Sequence, residues 1–117
     1  MTVTGSVSAS VNETSNSANT CQTASGGAVS GILAFDTYSL QFAIPTGTTT
    51  FPSTAGNFGV AFFNNNDSSQ EWAASAGTVT LSSNAKSGTV DVDMSPHTPT
   101  PNPALKPIHV KGTFTCA

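Results

Sequence analysis

Apolar and polar residues alternate with a period of two along most of this chain, and no apolar stripe of helical period runs long enough for a helix. From Thr2 to Val11, Val3, Val7, Ala9 and Val11 share one parity while Thr2, Thr4, Ser6, Ser8 and Ser10 take the other, which predicts one half-buried strand. Asn12 to Gly27 has no apolar period and is rich in Asn, Ser, Thr and Gly, so it reads as a long loop or an irregular edge pinned at Cys21.

From Val29 the large apolar positions run Val29, Leu33 and Phe35 on odd numbers, with Ile32 off the pattern, and then Tyr38, Leu40, Phe42 and Ile44 on even ones. A turn at Asp36 and Thr37 sets Phe35 opposite Tyr38, Leu33 opposite Leu40, Gly31 opposite Phe42 and Val29 opposite Ile44, all on one face. Asp-Thr is not a favoured two-residue turn, which leaves a bulge in one longer strand as the other reading. Pro45 to Gly56 reads as a Thr/Pro/Gly connection.

Phe58, Val60 and Phe62 then alternate with small residues, and Trp72 to Ala76 is their expected partner. In that register Phe62 faces Trp72, Val60 faces Ala74 and Phe58 faces Ala76, with Asn64 to Gln70 as the hairpin loop. Thr78 to Ser82 and Thr89 to Met94 predict another hairpin around Ser83 to Gly88, with Val79, Leu81, Val90, Val92 and Met94 pointing inward. The last strand carries Ile108, Val110, Phe114 and Cys116 on one parity. Ser95 to Pro107, with five prolines around His97, is expected to be an extended loop.

This pattern predicts one domain over residues 1–117, all-β, folded as an antiparallel β-sandwich, immunoglobulin-like or related, of about seven to eight strands. Ser and Thr supply 34 of the 117 residues, which suits sheet surfaces and turns and accounts for a polar chain with little charge. Only three residues are basic, Lys86, Lys106 and Lys111, and the net charge is -3, so the basic stripe a nucleic-acid surface needs is missing. Two cysteines, one near each end and outside any CxxC pair, predict a Cys21 to Cys116 disulfide and hence an oxidising, extracellular or cell-surface location. No apolar run reaches transmembrane length, and Met1 is expected to stand in for a removed export signal.

Chemistry has few footholds. There is no GxSxG elbow, no HExxH and no glycine-rich phosphate loop entering a helix, so no enzyme and no cofactor is expected. His109 lies on the polar face of the last strand. Pairing Met94 with Ile108 sets Asp93 opposite His109 and Asp91 opposite Lys111, which reads as a cross-strand charge ladder, with a metal site at His109, Asp93 and Asp91 as the competing reading. His97 is expected to be solvated. Asn12-Glu13-Thr14 and Asn66-Asp67-Ser68 match the glycosylation sequon.

The segment from Asn64 to Trp72 is the one candidate binding site, through Asn64, Asn65, Asn66, Asp67, Glu71 and Trp72. Amides and carboxylates hydrogen-bond vicinal sugar hydroxyls, and an indole face stacks on a pyranose ring. Calcium is a weaker match, because the spacing fits no EF-hand loop. The plain alternative is a polar hairpin loop with Trp72 packed in the core.

Val92-Asp93-Met94, the proline-containing loop, Lys106 and the alternating strand from Ile108 to Cys116, together with Val3-Thr4-Gly5-Ser6-Val7 at the start, resemble secreted actinobacterial lipoprotein domains, the mycobacterial surface lipoprotein antigens in particular. Cys21 departs from that pattern, since it falls well after the first strand, and no lipid-attachment cysteine lies upstream of it in this sequence. The resemblance implies an exported envelope β-domain, lipid-anchored in its precursor, without enzyme activity. The expected function is a non-catalytic secreted or cell-surface domain for display, adhesion or envelope-ligand binding, its partner a cell-envelope glycan, glycolipid or protein. A carbohydrate-binding module using Asn64 to Trp72 is one alternative. A fibre or pilus subunit that exchanges its Thr2 to Val11 strand is another.

Overall fold

The computed structural model describes residues 2–5, 9–10, 20–23, 28–35, 37–53, 58–97 and 105–116. Ten strands follow one another with no helix among the described residues: β1 Thr2–Gly5, β2 Ala9–Ser10, β3 Thr20–Thr23, β4 Ala28–Phe35, β5 Tyr38–Pro45, β6 Gly47–Phe51, β7 Gly59–Asn64, β8 Asp67–Leu81, β9 Ser87–Pro96 and β10 Ile108–Thr115. All pairings are antiparallel and belong to a single sheet in the order β2-β1-β10-β9-β8-β7-β5-β4-β3, with β6 paired to the second half of β8.

That sheet is curled as a half-barrel. The all-β, antiparallel, disulfide-bonded architecture is as the alternation and the two cysteines predict, and the ladder runs unbroken through one sheet. Eighteen buried apolar side chains form one core cluster on the concave side, drawn from β1 and from β4 through β10. Each large one removed from water contributes roughly 1.5 to 3 kcal/mol. Phe42 and Phe114 meet inside, although three strands lie between β5 and β10 in the sheet.

The local registers follow from side-chain parity. β4 and β5 pair Phe35 with Tyr38, Leu33 with Leu40, Gly31 with Phe42 and Val29 with Ile44. The connection is therefore a hairpin and not a bulged single strand; Asp36 lies outside the described residues. β9 and β10 pair Met94 with Ile108, Asp93 with His109 and Asp91 with Lys111. Phe62 faces Trp72 as expected, but the β7–β8 ladder ends at the Ala61 and Ala73 pair, so the expected Val60–Ala74 and Phe58–Ala76 pairs do not form part of it.

Three segments differ from their sequence reading. Thr2 to Val11 is not one strand: β2 pairs back on β1, with Thr2 opposite Ser10 and Val3 opposite Ala9. Gly5 ends β1 at φ +117°, where a Cβ would strike the Pro107 carbonyl. Val7 and Val11 lie outside the described residues. Within the expected Pro45 to Gly56 connection, β6 forms and buries Thr49 and Phe51 on one parity. Three β-branched threonines in a row favour extended backbone, and β6 covers the part of β8 that β7 leaves.

The two strands expected at Trp72 to Ala76 and Thr78 to Ser82 are one, β8, bent by a bulge between Ala74 and Ala76. Gly77 beside it takes φ +99° and lies so close to the backbone of Asp91 and Val92 that no side chain fits. The bend lets one strand serve β7 on its first half and β6 on its second. The irregular edge expected around Cys21 is β3, paired to β4. Of the expected proline-rich loop, residues 98–104 lie outside the described residues.

Cys21 and Cys116 are bonded, their Cα atoms 5.6 Å apart and 95 residues apart in sequence. Five strands lie between β3 and β10 in the sheet, so the bridge joins parts of the sheet that no ladder connects.

Candidate functional site

The β7–β8 hairpin carries the candidate segment at one end of the sheet. Its turn is tighter than the expected Asn64 to Gln70 loop: Asn65 and Asn66 form the turn, Asn64 pairs with Asp67, and the extra residues Ser68 to Gln70 bulge from β8 before Glu71 pairs with Phe63. Polar side chains hold this shape. The Asn66 amide N–H donates to Asn64 Oδ1 at 2.9 Å, and the Ser39 hydroxyl donates to Asn65 Oδ1 at 2.9 Å. Asn64 Nδ2 and the Tyr38 hydroxyl both donate to Gln70 Oε1, at 3.2 and 3.1 Å. The Asn65 amide N–H donates to the Thr37 carbonyl, tying the turn to the β4–β5 hairpin.

Asp67 is the hub of the bulge. Its Oδ1 accepts the Ser69 hydroxyl at 2.6 Å and the Ser69 amide N–H at 3.0 Å, and its Oδ2 accepts Gln70 Nε2 at 3.4 Å. The Ser69 hydroxyl first, and its amide second, hold the Asp67 carboxyl below its ordinary value, since both bonds favour the charged form. Donors from the loop itself thus engage both oxygens.

Trp72 corrects the sequence reading of a stacking platform. Its side chain is 0% exposed, lies against Phe62 with ring centroids 5.8 Å apart, and donates from Nε1 to the Lys106 carbonyl at 2.8 Å. Its parity on β8 is that of the core, so no indole face is open to a sugar.

The aromatic ring at this place is Phe63, which was not among the candidate residues. Together with Asn64, Asn65, Asn66, Asp67, Ser68, Gln70 and Glu71 it lines a depression of about 440 Å³. The signal was present in the sequence: Phe62 and Phe63 are consecutive in a strand, so when one points to the core the other points out. Phe63 is half-buried and faces Ser39 and Glu71 on its two neighbouring strands. Glu71 is placed by its backbone, whose carbonyl accepts the exposed His97 amide N–H at 2.8 Å.

The second candidate cluster lies on the convex face of β9 and β10. His109 sits between two carboxylates, Nδ1 at 2.7 Å from Asp93 and Nε2 at 2.9 Å from Asp91, while Lys111 reaches Asp91 at 4.0 Å. The expected cross-strand pairs are present, and His109 adds the diagonal contact to Asp91. Both ring nitrogens lie within hydrogen-bond distance of a carboxylate oxygen. Among the described residues no group of three or more His, Cys, Asp or Glu side chains is arranged to hold a metal ion.

Comparison with protein-family models, with curated proteins and with solved structures finds no match to this chain.

Proposed function

We propose that this chain is a non-catalytic secreted or cell-surface β-domain that works by adhesion or envelope-ligand binding, with the depression at the β7–β8 tip as its contact point. The observation that carries this reading is a rim held in shape by its own hydrogen bonds while part of its polar capacity stays unspent. Asn64, Asp67 and Gln70 satisfy one another, whereas the Asn66 side chain, the Ser68 hydroxyl and the Glu71 carboxylate make no hydrogen bond to another described residue. Such groups stand on a hairpin whose turn is already tied by its own hydrogen bonds, so ordering the turn is not part of the cost of binding.

The disulfide supports an exported location, with a lipid anchor in the precursor as the resemblance to actinobacterial lipoprotein domains implies. The immunoglobulin-like sandwich belongs with these proposals; the Phe42–Phe114 contact across the core supports a folded-over sheet. Against the fibre-subunit alternative stands the pairing of β1 with β10 and with β2 within its own sheet.

The test is binding of the labelled protein to isolated actinobacterial cell envelopes, wild type beside Asn66→Ala/Ser68→Ala. Saturable binding that the double variant loses at unchanged melting temperature is the expected result. Equal binding by both proteins, or none by the wild type, overturns the proposal.

A further inference from the structure

We infer that the ligand of the β7–β8 tip is the uncharged end of a saccharide, packed on Phe63 and hydrogen-bonded by Asn66, Ser68 and Glu71, and that acidic sugars are disfavoured. This rests on the adhesion reading above and names its ligand class.

Three features of the depression converge on that chemistry. Phe63 supplies an apolar surface of the kind on which the C–H face of a pyranose packs, and it is the only aromatic among the described lining residues. Around it stand the primary amides of Asn65 and Asn66 and the hydroxyl of Ser68, each able to donate and accept, as every sugar hydroxyl also does. Directly across the ladder from Phe63 is Glu71, whose acceptor-only carboxylate takes hydroxyl donors in charge-assisted bonds.

Charge then narrows the class. Among the described residues the lining carries two carboxylates, Asp67 and Glu71, and no Lys or His. A uronate, sulfate or phosphate brought to Phe63 meets like charge with no counter-cation among the described lining residues, whereas a neutral hexose or N-acetylhexosamine meets donors and acceptors that its hydroxyls can satisfy. Nucleic acid is disfavoured on the same ground. A volume of about 440 Å³, open to solvent, accommodates the end of a glycan and not a buried acyl chain. A free oligosaccharide and the headgroup of a neutral glycolipid present the same chemistry.

The experiment is a ¹H–¹⁵N titration of the whole chain with mannotriose, N-acetylchitotriose and trigalacturonate at low and high ionic strength. In parallel, sedimentation measures binding to vesicles with and without a neutral mannolipid, which separates the two sources. We expect saturable shifts confined to Phe63 through Glu71 with at least one neutral probe. Trigalacturonate is expected to bind on the order of tenfold more weakly at low salt, the gap narrowing at high salt. Phe63→Tyr retains the neutral binding and Phe63→Leu, equally apolar, weakens it; Glu71→Gln narrows the discrimination against trigalacturonate. Equal affinity for trigalacturonate, shifts that map elsewhere, or full affinity in Phe63→Leu overturns the inference. If envelopes bind the protein yet no neutral saccharide does, this inference fails while the adhesion reading stands.

Discussion

Phe42 of β5 and Phe114 of β10 stand ring to ring in the core, centroids 5.4 Å apart and tilted by 42°, and each lies over the glycine directly opposite it on the neighbouring strand. A Cβ on Gly31 would strike the Phe42 ring, and one on Gly88 would strike both the Phe114 ring and the Thr80 carbonyl. The two glycines therefore make the room that lets the curled sheet close on two phenylalanines. Phe114→Ala should cost about 3 to 5 kcal/mol by urea unfolding and Gly88→Ala about 1 to 3 kcal/mol. A loss below about 1 kcal/mol in Phe114→Ala would show that this contact does not hold the curl.

The disulfide should matter more than any single side chain at the ends of the sheet. Its loop spans 95 residues, for which chain entropy gives about 4 to 5 kcal/mol. Thermal unfolding with and without reductant should show a markedly lower Tm for the reduced protein, with Cys21→Ser/Cys116→Ser behaving the same way. An unchanged Tm would mean that the strand ladders alone hold β3 in place.

Asp67 predicts a local pH dependence. Because its folded carboxyl is lowered by Ser69, the stabilisation is fully present above its ordinary value of 3.8 and is lost only as pH falls through the lower, folded value. Following the Ser69 amide by NMR, the titration midpoint should lie below 3.8, and the titration should vanish in Asp67→Asn. A midpoint at or above 3.8 would show that the Ser69 bonds do not form in solution.

The His109 cluster should be nearly neutral for stability. The side chains of His109, Asp91 and Asp93 are 39%, 54% and 65% exposed, so the bonds among them compete with water. Asp93→Asn should change unfolding free energy by about 1 kcal/mol or less at neutral pH. The wild-type Tm should not rise with added zinc or nickel; a rise of several degrees that Asp93→Asn abolishes would mark a metal site instead.

Thr49 is a place where a substitution should stabilise the protein. Its side chain is buried on β6, and Oγ1 finds no hydrogen-bond partner among the described residues. Thr49→Val keeps the shape and the β-branching while removing a desolvated hydroxyl, so the unfolding midpoint in urea should rise, by an amount equivalent to about 1 kcal/mol. A fall would mean that the hydroxyl is satisfied in solution.

Side-chain parity and cysteine count, both readable from the sequence alone, determined the β class, the β4–β5 and β9–β10 registers, the outward charge ladder and the disulfide. The registers follow because, once one face of a strand is apolar, a one-residue slip would expose it, and the disulfide follows because the chain holds two cysteines. Only the tertiary structure decided the rest, because it depends on which distant edges meet. Val3 and Ala9 share a parity whether Thr2 to Val11 runs straight or doubles back, so alternation could not reveal that β2 pairs with β1. β6 exists because bent β8 leaves an edge for it to cover, and Thr49 and Phe51 showed little apolar pattern of their own. At the tip, the amides and carboxylates were visible as residues. Which aromatic ring stands beside them was settled by the β7–β8 register and by the core that takes Phe62 and Trp72, leaving Phe63 on the outside.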